Sequence, residues 1–134
     1  MDVQRFKEVI QKRDNTDDEY DYGVEVCDKE EIEILSEDVP STVAYLKNDC
    51  TPKEFFWISE IIDDLAVKTK SREIVEAYKN LGKKYPDMTK TFSFEFCASY
   101  AEEALEIALK NNTERPDSKQ PRKKKGKRNG RTKI

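Results

Sequence analysis

The chain has 134 residues, of which 40% are charged and 36% hydrophobic, and a formal net charge of −3 at pH 7. That length suits one domain, and so lean an apolar fraction predicts that part of the chain is unpacked. Histidine is absent, which excludes every mechanism built on imidazole, including His-based zinc sites and Ser–His or Cys–His nucleophilic pairs.

The N-terminal MDVQRFKEVIQKR lacks the apolar centre of a signal peptide. No later run approaches the roughly eighteen apolar residues of a membrane span, so a soluble, cytoplasmic protein is expected. Within it, Val3, Phe6, Val9 and Ile10 recur at helical spacing and predict a short amphipathic helix over Asp2–Arg13. Lys12 and Arg13 suit the negative end of its dipole.

Asp14–Gly23 (DNTDDEYDYG) carries turn formers without a period and reads as a loop. It is not a calcium loop. With Gly23 in the sixth position, Tyr20 and Tyr22 would stand where oxygen ligands belong, and Lys29 where the bidentate Glu belongs. The loop opens an acidic segment, Asp14–Asp38, that holds twelve acids against Lys29 alone. Inside this segment Val24–Leu35 fits two patterns. Val24/Val26 and Ile32/Ile34 alternate with acids as in a half-buried strand, yet a helix over Lys29–Leu35 with acids in its first turn is also consistent and is preferred.

Ser36–Pro40 is a break, with Ser36 or Asp38 as a cap for a helix of about three turns through Val43, Tyr45 and Leu46. Thr51–Val67 (TPKEFFWISEIIDDLAV) reads as the central helix. Thr51 and Glu54 form a capping box with Pro52 at the first helical position. Phe55, Trp57, Ile58, Ile61, Ile62, Leu65 and Ala66 fall on one arc, and Phe56, Glu60, Asp63 and Val67 on the other side.

Ser71 caps the next helix, whose buried face carries Ile74, Val75, Tyr78 and Leu81, and Gly82, Lys83/Lys84 and Pro86 form its stop. Asp87 or Thr89 opens a last helix, in which Phe92, Phe94 and Phe96 lead into Cys97, Ala98, Ala101, Ala104, Leu105 and Ala108. The alternating TFSFEF is a possible strand that the helical pattern after it opposes. Pro116–Ile134 holds nine Lys/Arg against one acid and almost nothing to bury, so this tail should be disordered. The expected architecture is all-α: a compact bundle of about five short helices in a domain spanning residues 1–115, followed by a disordered basic tail over 116–134.

Cys27, Cys50 and Cys97 are widely spaced and odd in number, as expected of reduced thiols. No Gly-rich phosphate loop is present. Asp63 and Asp64 are neighbours that point about 100° apart on a helix, so no acid–base dyad, cofactor or metal site is expected, and the chain reads as a binding protein. The candidate partner surface is Asp17, Asp18, Glu19, Tyr20, Asp21 and Tyr22, with Phe56, Glu60 and Asp63 of the central helix: clustered acids steer a basic partner, and tyrosines anchor interfaces. Lys123, Lys124, Lys125, Lys127 and Arg128 of the tail could give a salt-dependent, sequence-blind contact to nucleic acid.

Over Ser36–Pro86 the chain resembles the small acidic helical immunity proteins of contact-dependent growth inhibition and related polymorphic toxin systems. The residues that carry the likeness are Cys50-Thr51 with Glu54 and Phe55, then Trp57-Ile58-Ser59-Glu60, Asp63-Asp64, Lys68-Thr69 with Ser71, and Lys84-Tyr85-Pro86. The resemblance covers somewhat over a third of the chain. It implies a tight-binding inhibitor that occludes a cognate toxin, often a nuclease, without chemistry of its own. The basic tail departs from that pattern.

Overall fold

A computed structural model describes residues 1–114, with side chains as far as Asn111. The disorder expected of residues 116–134, and the nucleic-acid contact expected of Lys123, Lys124, Lys125, Lys127 and Arg128, lie outside the described residues. Those described are helical throughout, without a strand: α1 (Val3–Asp14), α2 (Asp21–Ser36), α3 (Val39–Asn48), α4 (Pro52–Ile58), α5 (Ile62–Thr69), α6 (Arg72–Lys84), a 3₁₀ turn at Met88–Lys90, and α7 (Phe94–Glu114). The class is the expected one. The count of seven α-helices exceeds the expected five or so, and two stretches differ from their expected bounds.

The first, Thr51–Val67, is not one helix. The capping box is present: Thr51 Oγ1 accepts from the Glu54 N–H at 3.2 Å, and the Glu54 carboxylate accepts from the Thr51 N–H at 3.0 Å. Seven residues later α4 ends. Ser59 donates its hydroxyl to the Phe55 carbonyl at 2.9 Å, and Tyr78 donates to Ser59 Oγ at 2.7 Å. A serine bonded back to the preceding turn bends a helix. Here the backbone tightens into i→i+3 bonds, Glu60 N to Trp57 O and Ile61 N to Ile58 O, before α5 restarts. The corner buries Ile58, Ile61 and Ile62 together and turns Glu60 outward.

The second, α2, is a full helix of 16 residues. The preferred helix at Lys29–Leu35 lies within α2, which starts about two turns earlier; the strand alternative at Val24–Leu35 is not formed, and the loop of Asp14–Gly23 is confined to the residues between α1 and Asp21. The buried face of α2 is Cys27, Glu31, Ile34 and Leu35. An acid occupies a core position, so the apolar stripe is interrupted.

Elsewhere the capping chemistry is as expected. Asp38 caps α3 and Ser71 caps α6, each accepting the N–H three residues on. Gly82 does not end α6, which runs to Lys84 with Tyr85 as its C-cap. Gly82 is required because the Phe94 ring lies against it: a Cβ there would stand 2.3 Å from a ring carbon. Phe94 in turn joins the aromatic core around Phe55, whose ring centroid is 5.5 Å from Tyr78, 5.6 Å from Phe92 and 5.7 Å from Phe94. Neither Asp87 nor Thr89 caps the last helix. They fall at the 3₁₀ turn, and α7 starts at Phe94. α5 packs along α7, where buried Ala98, Ala101 and Ala108 permit close approach, while α1 packs on α2 and α3 on α6.

Candidate functional site

The acidic segment is organised by a residue on the helix before it. Arg13, in the last turn of α1, is 2% exposed. Its guanidinium meets three elements at once: Asp18 of the loop at 3.1 Å, Glu60 of the α4–α5 corner at 3.1 Å, and Asp28 of α2 at 3.9 Å. It also lies 4.4 Å from the centroid of the Trp57 ring, in cation–π range. Trp57 is fixed from its other end, donating its indole N–H to Asp14 at 3.2 Å, and Lys53 holds the same carboxylate at 3.1 Å. Burial works against the charge on Arg13, but Glu60 and Asp18 raise its pKa above the ordinary arginine value.

Behind the guanidinium the acids outnumber it. Glu31 is fully buried, and neither carboxyl oxygen has a hydrogen-bond partner. Burial, followed by the charges of Asp28 and Glu60, pushes its pKa up to about 9 against the opposing pull of Arg13. Glu31 is therefore a neutral acid at pH 7. Burial and the charge of Glu60 push Asp28 up to about 6, and one of its oxygens is buried without a hydrogen bond. Asp28 also opens onto an exposed groove of about 300 Å³ between α2 and α5, lined by Asp21, Val24, Glu25, Asp28, Lys29, Ile32 and Asp64. Burial and Asp63 raise the Asp64 pKa as well.

The structure brings most of the candidate residues to this region. Asp17, Glu19 and Asp21 are exposed, and Asp17 accepts the Glu19 N–H at 2.9 Å, which shapes the loop. Tyr20 and Tyr22 are 57% and 67% exposed, with ring centroids 6.2 Å apart. The Tyr20 ring is folded over the first turn of α2, where a Cβ on Gly23 would stand 2.6 Å from it. Asp18 and Glu60 belong to the same cluster but are bound to Arg13, so part of their charge is matched internally. Phe56 and Asp63 are placed differently. Phe56 is half-buried against Trp57 and Phe92. Asp63 is half-buried, and its charge acts on Cys97 of α7.

Sequence reasoning missed Arg13, Glu25, Asp28, Glu31 and Asp64 as members of this region. Arg13 was visible only as a dipole-matching base; its apolar phase, three residues after Ile10, was the available signal. No three His, Cys, Asp or Glu side chains among the described residues are disposed to hold a metal ion. No described helix is long and apolar enough to cross a membrane. The arrangement offers open carboxylates and paired aromatic rings, the chemistry that receives cationic groups of another macromolecule. Comparison with protein-family models, with curated proteins and with solved structures finds no match for the chain.

Proposed function

We propose that the protein is an immunity-type inhibitor that neutralises a cognate toxin domain, a nuclease by preference, by binding it stoichiometrically through its acidic surface and without catalysis. The observation that carries the reading is the exposed Tyr20/Tyr22 pair set among Asp17, Glu19, Asp21 and Glu25, four acids that form no ion pair among the described residues. Open acids of this kind suit the lysines and arginines that line a nucleic-acid-cleaving site, and would be recognised quickly and in a salt-sensitive way. Tyrosines supply contact area at low entropic cost. Asp18 and Glu60 then serve to hold the surface as much as to touch the partner.

The test is co-expression with candidate nuclease toxin domains, beginning with any that a neighbouring gene encodes. Protection of the cells is expected, together with a one-to-one complex that the triple change Asp17→Lys, Asp21→Lys and Glu25→Lys weakens at least about tenfold. Absence of protection overturns the function. Protection with unchanged affinity in the triple variant keeps immunity but overturns the acidic docking surface.

The nine Lys/Arg of residues 116–134 favour a second reading, an accessory protein whose tail binds RNA or DNA while its helical body binds another protein. Deleting Pro116–Ile134 separates the two. Toxin binding survives under the first reading, and nucleic-acid retention disappears under the second.

A further inference from the structure

The outer face of α7 carries a second apolar ridge. Phe96, Tyr100 and Ile107 are 58%, 51% and 54% exposed, while Ala98, Ala101, Leu105 and Ala108 of the same helix face the core. The Phe96 and Tyr100 rings lie 4.4 Å apart, a preformed aromatic pair one helical turn long. With exposed Glu103 between Tyr100 and Ile107, the ridge advances by four, three and four residues. That is the alternation of core positions in a heptad, the spacing with which one helix meets another along a straight seam. The α5–α7 packing needs none of these side chains.

We propose that this face is a self-association surface, on which α7 of a second copy of this chain lies antiparallel. The ridge is complementary to itself only in that direction. With the two-fold axis between Ala101 and Glu102, each Phe96 meets Ile107 of the second copy and each Tyr100 meets its Glu103, which matches each core position with its complement. The Tyr100 hydroxyl can then donate to the Glu103 carboxylate, the pairing that Tyr45 and Glu54 make inside this fold at 2.7 Å. Ser99, Cys97 and Ala104 border the ridge and are small enough for close approach of the two helices. A parallel arrangement would instead set the two Glu103 carboxylates directly opposite each other.

Buried aromatic side chains contribute about 150–250 Å² each, so half-exposed Phe96 and Tyr100 together with Ile107 offer a few hundred Å² per copy, below a standard interface and in the range of weak, transient contacts. The dimer is accordingly reversible, with dissociation in the micromolar range or weaker. In the antiparallel seam the Tyr100–Glu103 layers are its weakest, so replacing the acid strengthens it.

Sedimentation equilibrium of the full chain over roughly 5–500 µM tests this. A monomer–dimer equilibrium is expected, with the association constant lowered at least about tenfold by Phe96→Asp and raised at least about tenfold by Glu103→Leu. Circular dichroism of each variant checks that the fold is retained. Three results overturn the proposal: wild type monomeric throughout; a dimer that Phe96→Asp leaves intact, which puts the interface elsewhere; or a dimer lost on removing residues 116–134, which assigns the association to the tail.

Discussion

Glu31 is fully buried with neither carboxyl oxygen hydrogen-bonded. An unmatched buried polar group costs free energy in either protonation state, and far more when charged. Because its pKa is raised from 4.5 to about 9, the folded protein holds a proton that the unfolded chain releases between those values. The contribution of this proton to stability is therefore fully present below about pH 4.5 and is lost as pH rises through about 9. Asp28, raised from 3.8 to about 6, adds a loss of the same sign at the acidic end. Glu31→Gln keeps the shape and removes the ionisation. Its advantage over wild type should grow from pH 5 to pH 9 by several kcal/mol, read from urea melts at three pH values. Parallel pH dependence in the two proteins would show that Glu31 does not hold the proton. A buried acid of this kind next to the open groove also explains why the acidic segment resists a simple charge count: its members differ in what they can offer a partner.

The elements are set by contacts as local as one ring against one glycine. At Gly82, alanine would ordinarily favour a helix interior by about 1 kcal/mol. Here its Cβ would meet the Phe94 ring at 2.3 Å, and Phe94 is backed on one side by Phe55 and Tyr78, whose ring centroids lie 5.7 Å and 5.5 Å away. Gly82→Ala should destabilise by about 1–3 kcal/mol, with lost near-ultraviolet dichroism from the displaced rings; an unchanged or raised melting temperature would mean the ring yields freely. Ser59→Ala removes the bond that bends the α4–α5 corner and leaves the buried Tyr78 hydroxyl without Ser59 as acceptor. A loss of about 1–3 kcal/mol is expected, and Tyr78→Phe in the same chain should recover part of it in a double-mutant cycle.

These contacts also mark how far the sequence could be read. Caps were legible because their chemistry is local: Thr51 with Glu54, Asp38 and Ser71 each act within three residues. The break at Ser59 was not, because serine is ordinary in a helix until a tyrosine 19 residues away engages it. α2 was obscured by Glu31, an acid where the periodicity needs an apolar residue. The open part of the candidate surface, Asp17 to Tyr22, could be found from composition; its supports could not. Arg13 is separated by 47 residues from Glu60, and no pattern along the chain announces that meeting.

At the scale of the whole molecule, the candidate surface is assembled from α1, the loop after it, α2 and the α4–α5 corner, and Arg13 is the group that all four share. Asp18 and Glu60 are exposed enough to regain water if the guanidinium is lost, so their pairs alone should contribute modestly. Asp28, with one carboxyl oxygen buried, regains water less fully, and losing the stack on Trp57 would open a gap in the packing. Arg13→Met, which keeps the aliphatic length but not the charge, should therefore cost about 2–4 kcal/mol, between the values for exposed and fully buried pairs. Arg13→Lys should recover only a part, since an ammonium cannot reach Asp18, Glu60 and Asp28 together while lying flat on the indole. Trp57 is the only tryptophan, so its fluorescence reports this site alone. A shifted emission maximum in Arg13→Met at neutral pH, with helix content retained by circular dichroism, is the expected result. An unshifted maximum with wild-type stability would show that the four elements hold together without the guanidinium, and that the acidic loop is positioned by its own turn chemistry.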